Sequence, residues 1–407
     1  MRILFLTERY PPHLTGGYEV ACAAVANGLR GRGYQVAVLT SDFGLSGSPA
    51  PEPGVCRRLH YYRGAPNLAA LARWETADRR TLSETLVSWK PDVVYAWSML
   101  HLFPSLHQVL HAAGVPTFLN VQDIWLPRHL EEADELRRLW HRPASLPKRA
   151  ARAVIRTAFR LRHPGWLRPV TAADLDHYHV VFCSRFRMEE HVRRGLPARS
   201  RHLVYNGIDA ARFPTAPARA AGEPLRALFA GRLVHEKGVH TAVEAVVELA
   251  RRGRSDVTLT VAGPPSHPFE YAEQLRKTAE AAGVADRVRF LGMVPQDRLR
   301  ELYGQHHVLV FPSVGNEGLP MTILEAMASR LTVVGTTTGG SGEMLRDGET
   351  GLAYPAGDAV ALADRLTLLA ADPALALALA EAGRQFVRER FSLDAIVSET
   401  EAVITDS

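Results

Sequence analysis

Three stretches of this chain place residues whose types and spacing could do chemistry, and in each the chemistry would be that of an anion. Gly231-Arg232-Leu233-Val234-His235-Glu236-Lys237-Gly238 sets a guanidinium and an ammonium five residues apart on a glycine-flanked loop. A planar fork and a point charge at that spacing can hold a diphosphate between them. Scattered over a surface, the same two residues would read as solvated charge. The second stretch, Pro312-Ser313-Val314-Gly315-Asn316-Glu317-Gly318-Leu319-Pro320-Met321, runs on to Glu325. Pro320 suits the first position of a helix, and the free N–H groups around Met321 and Thr322 could then face a phosphate. Eight residues of helix between Glu317 and Glu325 would separate them by about 12 Å. That distance suits two diols on either side of a diphosphate, those of a sugar and of a ribose. Taken singly, Glu317 reads as an ordinary loop acid and Glu325 as an exposed helix glutamate. The third stretch, Pro11-Pro12-His13-Leu14-Thr15-Gly16-Gly17, follows an apolar run and precedes a helical pattern. Backbone N–H groups at Gly16 and Gly17 could approach an anion closely, and a tight turn without a ligand would look the same.

These residues need elements to hold them. Short apolar runs at Ile3–Thr7, Gln35–Thr40, Asp92–Trp97, Pro116–Asn120 and Val180–Ser184 alternate with longer amphipathic segments. The rhythm pauses near 205–224 among prolines, glycine and alanines. It restarts with Arg226–Ala230, Val257–Ala262, Val288–Leu291, His307–Phe311 and Leu331–Gly335. Runs of this length separated by helices predict parallel sheets covered on both faces. The fold class expected is therefore α/β, with two Rossmann-like doubly wound domains facing across a cleft. The first domain is read over residues 1–200, a linker over 201–222 and the second domain over 223–391. The alanine- and leucine-rich stretch 359–380 has helical composition. Ser392 reads as the N-cap of a last helix, with Asp394 in its first turn. Doubly wound sheets bind ligands beyond the carboxyl ends of their strands, where the Arg232, Glu317 and Gly16 loops all fall.

At 407 residues the chain suits two domains better than one core. A formal net charge of +5 favours anionic partners without choosing among phosphates, lipid head groups and nucleic acid. Cys22, Cys56 and Cys183 are too few and too scattered for a disulfide framework or a zinc site, which predicts a reducing compartment. The apolar run at the N-terminus is shorter than a signal peptide needs, and no stretch approaches the roughly 20 apolar residues of a spanning helix. A cytoplasmic location is the expectation. The Gly-x-Gly-x-x-Gly spacing of dinucleotide dehydrogenases is missing, as is the Gly-x-x-x-x-Gly-Lys-Ser/Thr loop of P-loop NTPases.

Together the three stretches resemble the retaining GT-B glycosyltransferases of family 4, whose hallmark is two glutamates separated by seven residues, here Glu317 and Glu325. The family's phosphate pair falls on Arg232 and Lys237, and its first-domain glycine loop on Gly16 and Gly17. Asn206-Gly207-Ile208-Asp209 and Val288-Arg289-Phe290-Leu291-Gly292 match its pattern as well. The resemblance spans nearly the whole chain and is weakest at 41–90 and 126–170. It implies a nucleotide-diphosphate sugar, with UDP favoured, bound mostly by the second domain through Arg232, Lys237, Met293, Glu317, Gly318, Leu319, Met321, Thr322 and Glu325. The base would stack near Phe290-Leu291-Gly292-Met293, and Gly339-Gly340-Ser341-Gly342-Glu343 would line the donor cleft. A glycan, a lipid-linked molecule or a small molecule would accept the sugar at the first domain. The last helix, about 392–407, would pack back on that domain. Arg232, Lys237 and Glu317 would carry catalysis, the first two by stabilising the departing diphosphate and Glu317 by positioning the sugar. No cofactor and no metal are expected, because fixed cations can do a metal's work. Asp174-Leu175-Asp176 lies before a strand and reads as incidental. Many relatives carry a histidine after the Pro116–Asn120 strand, followed by aspartate. Here Gln122 takes that place before Asp123, and both are weak sugar-side candidates. Glutamine can bond a hydroxyl but cannot titrate. His101 reads as structural.

Two rivals stay open on sequence. A nucleotide-sugar 2-epimerase shares the fold but would need acid–base groups at the donor's C2. A donor-binding protein without catalysis is suggested by Gln122. Residues 148–162 space Arg149, Arg152, Arg156 and Arg160 along a helix. That pattern suits either peripheral contact with anionic lipid or a solvated cationic face. No nucleic-acid partner is expected.

Overall fold

The protein is described here from a computed structural model. It covers residues 1–13, 16–45, 52–62, 68–123, 125–127, 172–220, 222–265 and 270–406, with isolated positions between 145 and 157. The four arginines of the basic segment 148–162 lie outside the described residues. The chain divides into two compact units. One comprises residues 1–183, 187–204 and everything from Val397 on; the other comprises 184–186 and 205–396.

The first unit is built on β1 (Arg2–Thr7), α1 (Gly17–Gly31), β2 (Gln35–Ser41), β3 (Val55–Leu59), α2 (Leu68–Trp89), β4 (Val93–Ala96), α3 (Leu106–Ala113), β5 (Thr117–Val121), β6 (His179–Phe182), α4 (Arg185–Arg193) and β7 (Ser200–Leu203). Its seven strands are all parallel, in the order β3-β2-β1-β4-β5-β6-β7. Ile3, Leu4, Phe5 and Leu6 are wholly buried, so β1 is covered on both faces and reads as an unbroken apolar run. Three residues or four apart, Cys22, Val25, Ala26 and Leu29 turn one stripe of α1 into the core.

The second unit contains β8 (Leu225–Ala230), α5 (Val239–Arg251), β9 (Val257–Ala262), α6 (Glu270–Ala281), β10 (Val288–Gly292), α7 (Gln296–Gln305), β11 (Val308–Phe311), α8 (Met321–Ala328), β12 (Thr332–Gly335), β13 (Leu352–Ala353), α9 (Ala359–Ala371), α10 (Pro373–Arg390) and α11 (Leu393–Thr405), of which α11 continues past the unit's limit. Its six parallel strands follow the order β10-β9-β8-β11-β12-β13. Both sheets reverse their winding beside their first strand, at β1/β4 and at β8/β11. Crevices for ligands open at those points, beyond the strands' carboxyl ends.

Three details differ from the sequence reading. Residues 201–203, assigned there to the linker, belong to β7 and pair with β6. The alanine-rich stretch is two helices, bent by 105° where the Asp372 carboxylate caps Leu375 N at 2.9 Å and Pro373 opens α10. Proline at a first helical turn and an aspartate cap both favour a new start over continuation. Pro320 is the residue before α8 rather than its first, with ψ at 112°. At the chain's end, Ser392 Oγ lies 3.4 Å from Ala395 N. Farther along α11, Glu401 takes bonds from Arg32 and Tyr34 of the first unit, both at 2.7 Å. Among the described residues no single helix is long and apolar enough to cross a membrane. The bent pair of α9 and α10 reaches the length and composition, but Leu362, Leu366, Leu369, Leu379 and Val387 on it are buried.

Candidate functional site

The loops beyond β8 and β11 converge in the second unit. Beyond β8 the chain passes Gly231 and Arg232 and makes a 3-10 turn over His235–Lys237, which ends at Gly238 with φ at +66°. A Cβ on Gly238 would stand 1.8 Å from the Pro312 carbonyl oxygen, so only glycine lets this loop lie against the one that follows β11. Backbone bonds fasten the two loops: Val314 N and Gly315 N donate to the Glu236 carbonyl at 2.9 and 3.0 Å.

That contact brings the sequence candidates together. Lys237 Nζ reaches Glu317 Oε1 at 2.7 Å, and the buried Ser313 hydroxyl donates to the same oxygen at 2.7 Å. Glu317 Oε2 has no partner among the described residues. A second glycine contact holds Glu317 from behind. Gly340 N donates to the Glu317 carbonyl at 2.9 Å, and a Cβ on Gly340 would come within 1.8 Å of the Gly318 carbonyl oxygen. The glycine stretch 339–342 therefore sets the height of the Glu317 loop. Its last neighbour, Glu343, is committed to the backbone N–H groups of Arg185 and Phe186 and to the Tyr205 hydroxyl, at 2.9, 3.0 and 2.9 Å. Arg232 is exposed, and its guanidinium has no hydrogen-bond or ion-pair partner among the described residues.

Beyond this loop α8 begins at Met321 with no side-chain cap; Ile323 N donates to the Pro320 carbonyl at 3.1 Å, and the N–H groups of Met321 and Thr322 have no partner among the described residues. Ile323, Leu324, Ala326, Met327 and Ala328 face the core, while Met321, Thr322 and Glu325 keep part of their surface open; Leu319 is buried. Only the second half of the interval from Glu317 to Glu325 is helical, so the 12 Å estimate for a continuous helix does not apply. Glu325 Oε2 accepts from the Tyr303 hydroxyl at 2.8 Å. Burial raises the Glu325 carboxyl to about 7, against the lowering pull of Tyr303 and Arg300. Met293, directly after β10, is 79% exposed, which leaves an apolar side chain open beside the strand end.

In the first unit Gly16 and Gly17 open α1. The Gly16 N–H is already taken, donating to Glu19 Oε2 at 3.0 Å, so the helix start is closed by its own carboxylate. Leu14 and Thr15 lie outside the described residues. Gln122 Nε2 donates to Asn120 Oδ1 at 2.5 Å, and Asn120 in turn donates to the Tyr95 hydroxyl at 2.8 Å. The Asp123 carboxylate, on an exposed residue, accepts from Trp125 N at 2.7 Å.

A further cluster there was not singled out from sequence. Glu8, 1% exposed, takes bonds at 2.6 Å from Arg9 Nη2, 2.8 Å from the Tyr18 hydroxyl and 2.6 Å from His101 N. Its other contact is His101 Nδ1, at 2.8 Å. Burial alone would raise this carboxyl; the His101 bond and the Arg9 charge outweigh it and hold the group at about 2. Arg9 also pairs with the buried Glu19 at 3.2 Å. Its guanidinium lies 5.4, 5.5 and 5.7 Å from the ring centres of Tyr18, Phe43 and Tyr61. The signal available in the sequence was a Glu-Arg pair placed directly after the apolar run of β1.

Comparisons with known proteins agree with this architecture. Residues 15–212 match the family Glycosyltransferase Family 4, and residues 215–386 match Glycosyl transferases group 1. The chain is 30% identical over 431 residues to an alpha-maltose-1-phosphate synthase of Mycobacterium tuberculosis, covering 98% of both chains. It is 28% identical over 432 residues to a glycogen synthase of the same species, covering 99% of this chain and 94% of the relative. Among solved structures, Anabaena HepE in complex with UDP and glucose superposes with a TM-score of 0.71 at 19% identity, covering 100% of each chain. Two parallel doubly wound sheets, family matches over both halves and an end-to-end relative lead to one conclusion: the chain belongs to glycosyltransferase family 4, the glycosyl transferases group 1, and is a GT-B glycosyltransferase that uses nucleotide sugars.

Proposed function

We propose that the chain transfers a hexosyl group from a UDP-sugar to a hydroxyl of a glycan, a lipid-linked molecule or a small molecule, with retention of anomeric configuration. One observation carries this reading: an unpartnered Arg232 and a Lys237 bound to Glu317 stand on one glycine-framed loop beyond β8. UDP is favoured because the similarly folded HepE holds UDP and glucose. The carbohydrate acceptor class is in keeping with the names of the relatives, a glycogen synthase and a maltose-1-phosphate synthase.

In this reading the anomeric C–O bond breaks and its electron pair leaves with the β-phosphate oxygen. The acceptor oxygen forms the new bond on the same face, and its proton passes to the departing phosphate, giving a glycoside and a nucleoside diphosphate. Arg232, Lys237 and the uncapped N–H groups at Met321 and Thr322 supply the positive potential that stabilises the leaving group, with no metal invoked. Glu317, steadied by Lys237 and Ser313, receives sugar hydroxyls through Oε2, and Glu325 receives the ribose. Gly318 and Leu319 shape the floor, and Met293 covers the base. Within the first unit, Gln122 and Asp123 at the end of β5 are the candidates to bond sugar hydroxyls, and Gly17 retains its N–H for an anion.

The test is incubation of the full chain with UDP-, GDP- and dTDP-sugars, followed by mass spectrometry. Slow release of free nucleotide from one donor supports the transferase. Interconversion of donor epimers would replace it by an epimerase, and binding without turnover by a donor-binding protein.

A further inference from the structure

Glu325 is gripped by a residue that none of the sequence motifs contains. Tyr303 lies on α7, twenty-two residues before Glu325 on α8. The phenol is wholly buried, and its hydroxyl donates to Glu325 Oε2 at 2.8 Å. A tyrosine hydroxyl has one proton to give, and here it goes to one oxygen of one carboxylate. Glu325 Oε1 has no partner among the described residues, and the residue keeps part of its surface open. A glutamate side chain has three torsions and would otherwise sample several orientations at a helix surface. One bond from a rigid, buried ring restrains that freedom and leaves Oε1 without a partner among the described residues.

We propose that Tyr303 is a positioning residue for the donor: by holding Oε2, it orients the Glu325 carboxylate so that Oε1 and the remaining lone pair of Oε2 meet the two ribose hydroxyls of a nucleoside diphosphate. The inference rests on the reading of Glu325 as the ribose ligand. The charged and titratable groups acting on the Glu325 carboxyl are Tyr303 and Arg300, both on α7, and Arg300 also pairs with Asp297 at 2.6 Å. Burial raises the carboxyl and the tyrosine bond opposes that rise, so loss of the hydroxyl moves the carboxyl farther up from about 7. A protonated carboxyl accepts hydrogen bonds less well than a carboxylate. Donor affinity therefore falls as pH drops through that value, and in the absence of the phenol hydroxyl it falls at a higher pH.

The experiment uses the full chain and compares Tyr303→Phe, which keeps the ring, with Glu325→Gln. Binding of UDP, GDP and ADP is measured against their 2′-deoxy forms by calorimetry between pH 6 and 9, alongside donor KM and kcat. For Tyr303→Phe, donor KM rises about tenfold, the size of one lost bond to a charged group, while kcat stays within about twofold. The preference for ribo- over 2′-deoxyribonucleotide shrinks, and the affinity inflection moves to higher pH. A structural tyrosine would move none of these together. Should Tyr303→Phe keep the wild-type ribose preference and inflection while Glu325→Gln loses both, the positioning role is overturned. Should Glu325→Gln bind the ribonucleotides like wild type, it is the ribose assignment that fails. Thermal midpoints of both variants exclude misfolding as the cause, and a Tyr303→Phe chain that binds 2′-deoxynucleotide normally is folded at the site.

Discussion

The carboxyl ends of β1 and β8 occupy the same topological place, each beside the switch point of its own parallel sheet, yet they treat an arginine in opposite ways. After β1, Arg9 is bound by two buried carboxylates and surrounded by three aromatic rings. After β8, Arg232 stands exposed without a partner among the described residues, next to a lysine held by a single carboxylate. The fold offers both ends the same crevice. What differs is whether the chain supplies the counter-charge itself. Where it does, the arginine belongs to the architecture; where it does not, the charge stays uncompensated by the described chain.

The comparison breaks most visibly through Arg9. Arg9→Ala leaves Glu8 and Glu19 buried without their cation and destabilises the fold by about 3–5 kcal/mol. Urea unfolding measures it, and a loss below about 1 kcal/mol would put Arg9 among the solvated charges. Arg232→Ala is the mirror case: turnover falls roughly 100- to 1000-fold while the unfolding midpoint hardly moves. Equal turnover in variant and wild type would remove the phosphate assignment.

Acid unfolding sharpens the contrast. Glu8 sits near 2 in the folded protein against an ordinary 4.5, so its contribution, about 3 kcal/mol, is complete above pH 4.5 and is lost as pH falls towards 2. Glu8→Gln should flatten the stability curve over that window, and an unchanged slope would deny the network its role. The smallest effect belongs to Tyr18→Phe, which removes one of the donors to Glu8 and costs about 0.5–1.5 kcal/mol without altering kcat.

Central strands were legible because burial on both faces writes an unbroken apolar run, as in Ile3–Leu6 and Val308–Phe311. The edges were not. β3 carries Arg57 and Arg58, β7 reads Ser-Arg-His-Leu, and β13 spans two residues. Strands at or near a sheet margin bury less and are often charged, so periodicity misses them. Arg232, Lys237 and Glu317 could be singled out by their spacing on loops next to strands, and Glu325 by its interval from Glu317. How Ser313, Gly340 and Tyr303 contact those residues was not legible, since that arises only when separate loops or helices are folded against one another. Glu8 and Arg9 were passed over for a different reason: adjacent opposite charges usually neutralise each other at a surface, and nothing in sequence reports that this pair is buried.

The contact of Gly340 with Gly318 has a consequence for how such an enzyme can diversify. Main chain touching main chain leaves no side chain to trim, and any Cβ added at Gly340 would force the loops apart, so the spacing cannot be adjusted in small steps there. Asn316, Met321 and Thr322 project from that fixed rail. On the proposed donor reading, exchanging them would alter which sugar is tolerated while the leaving group stays in register, so that selectivity could drift without forfeiting the bond-breaking chemistry.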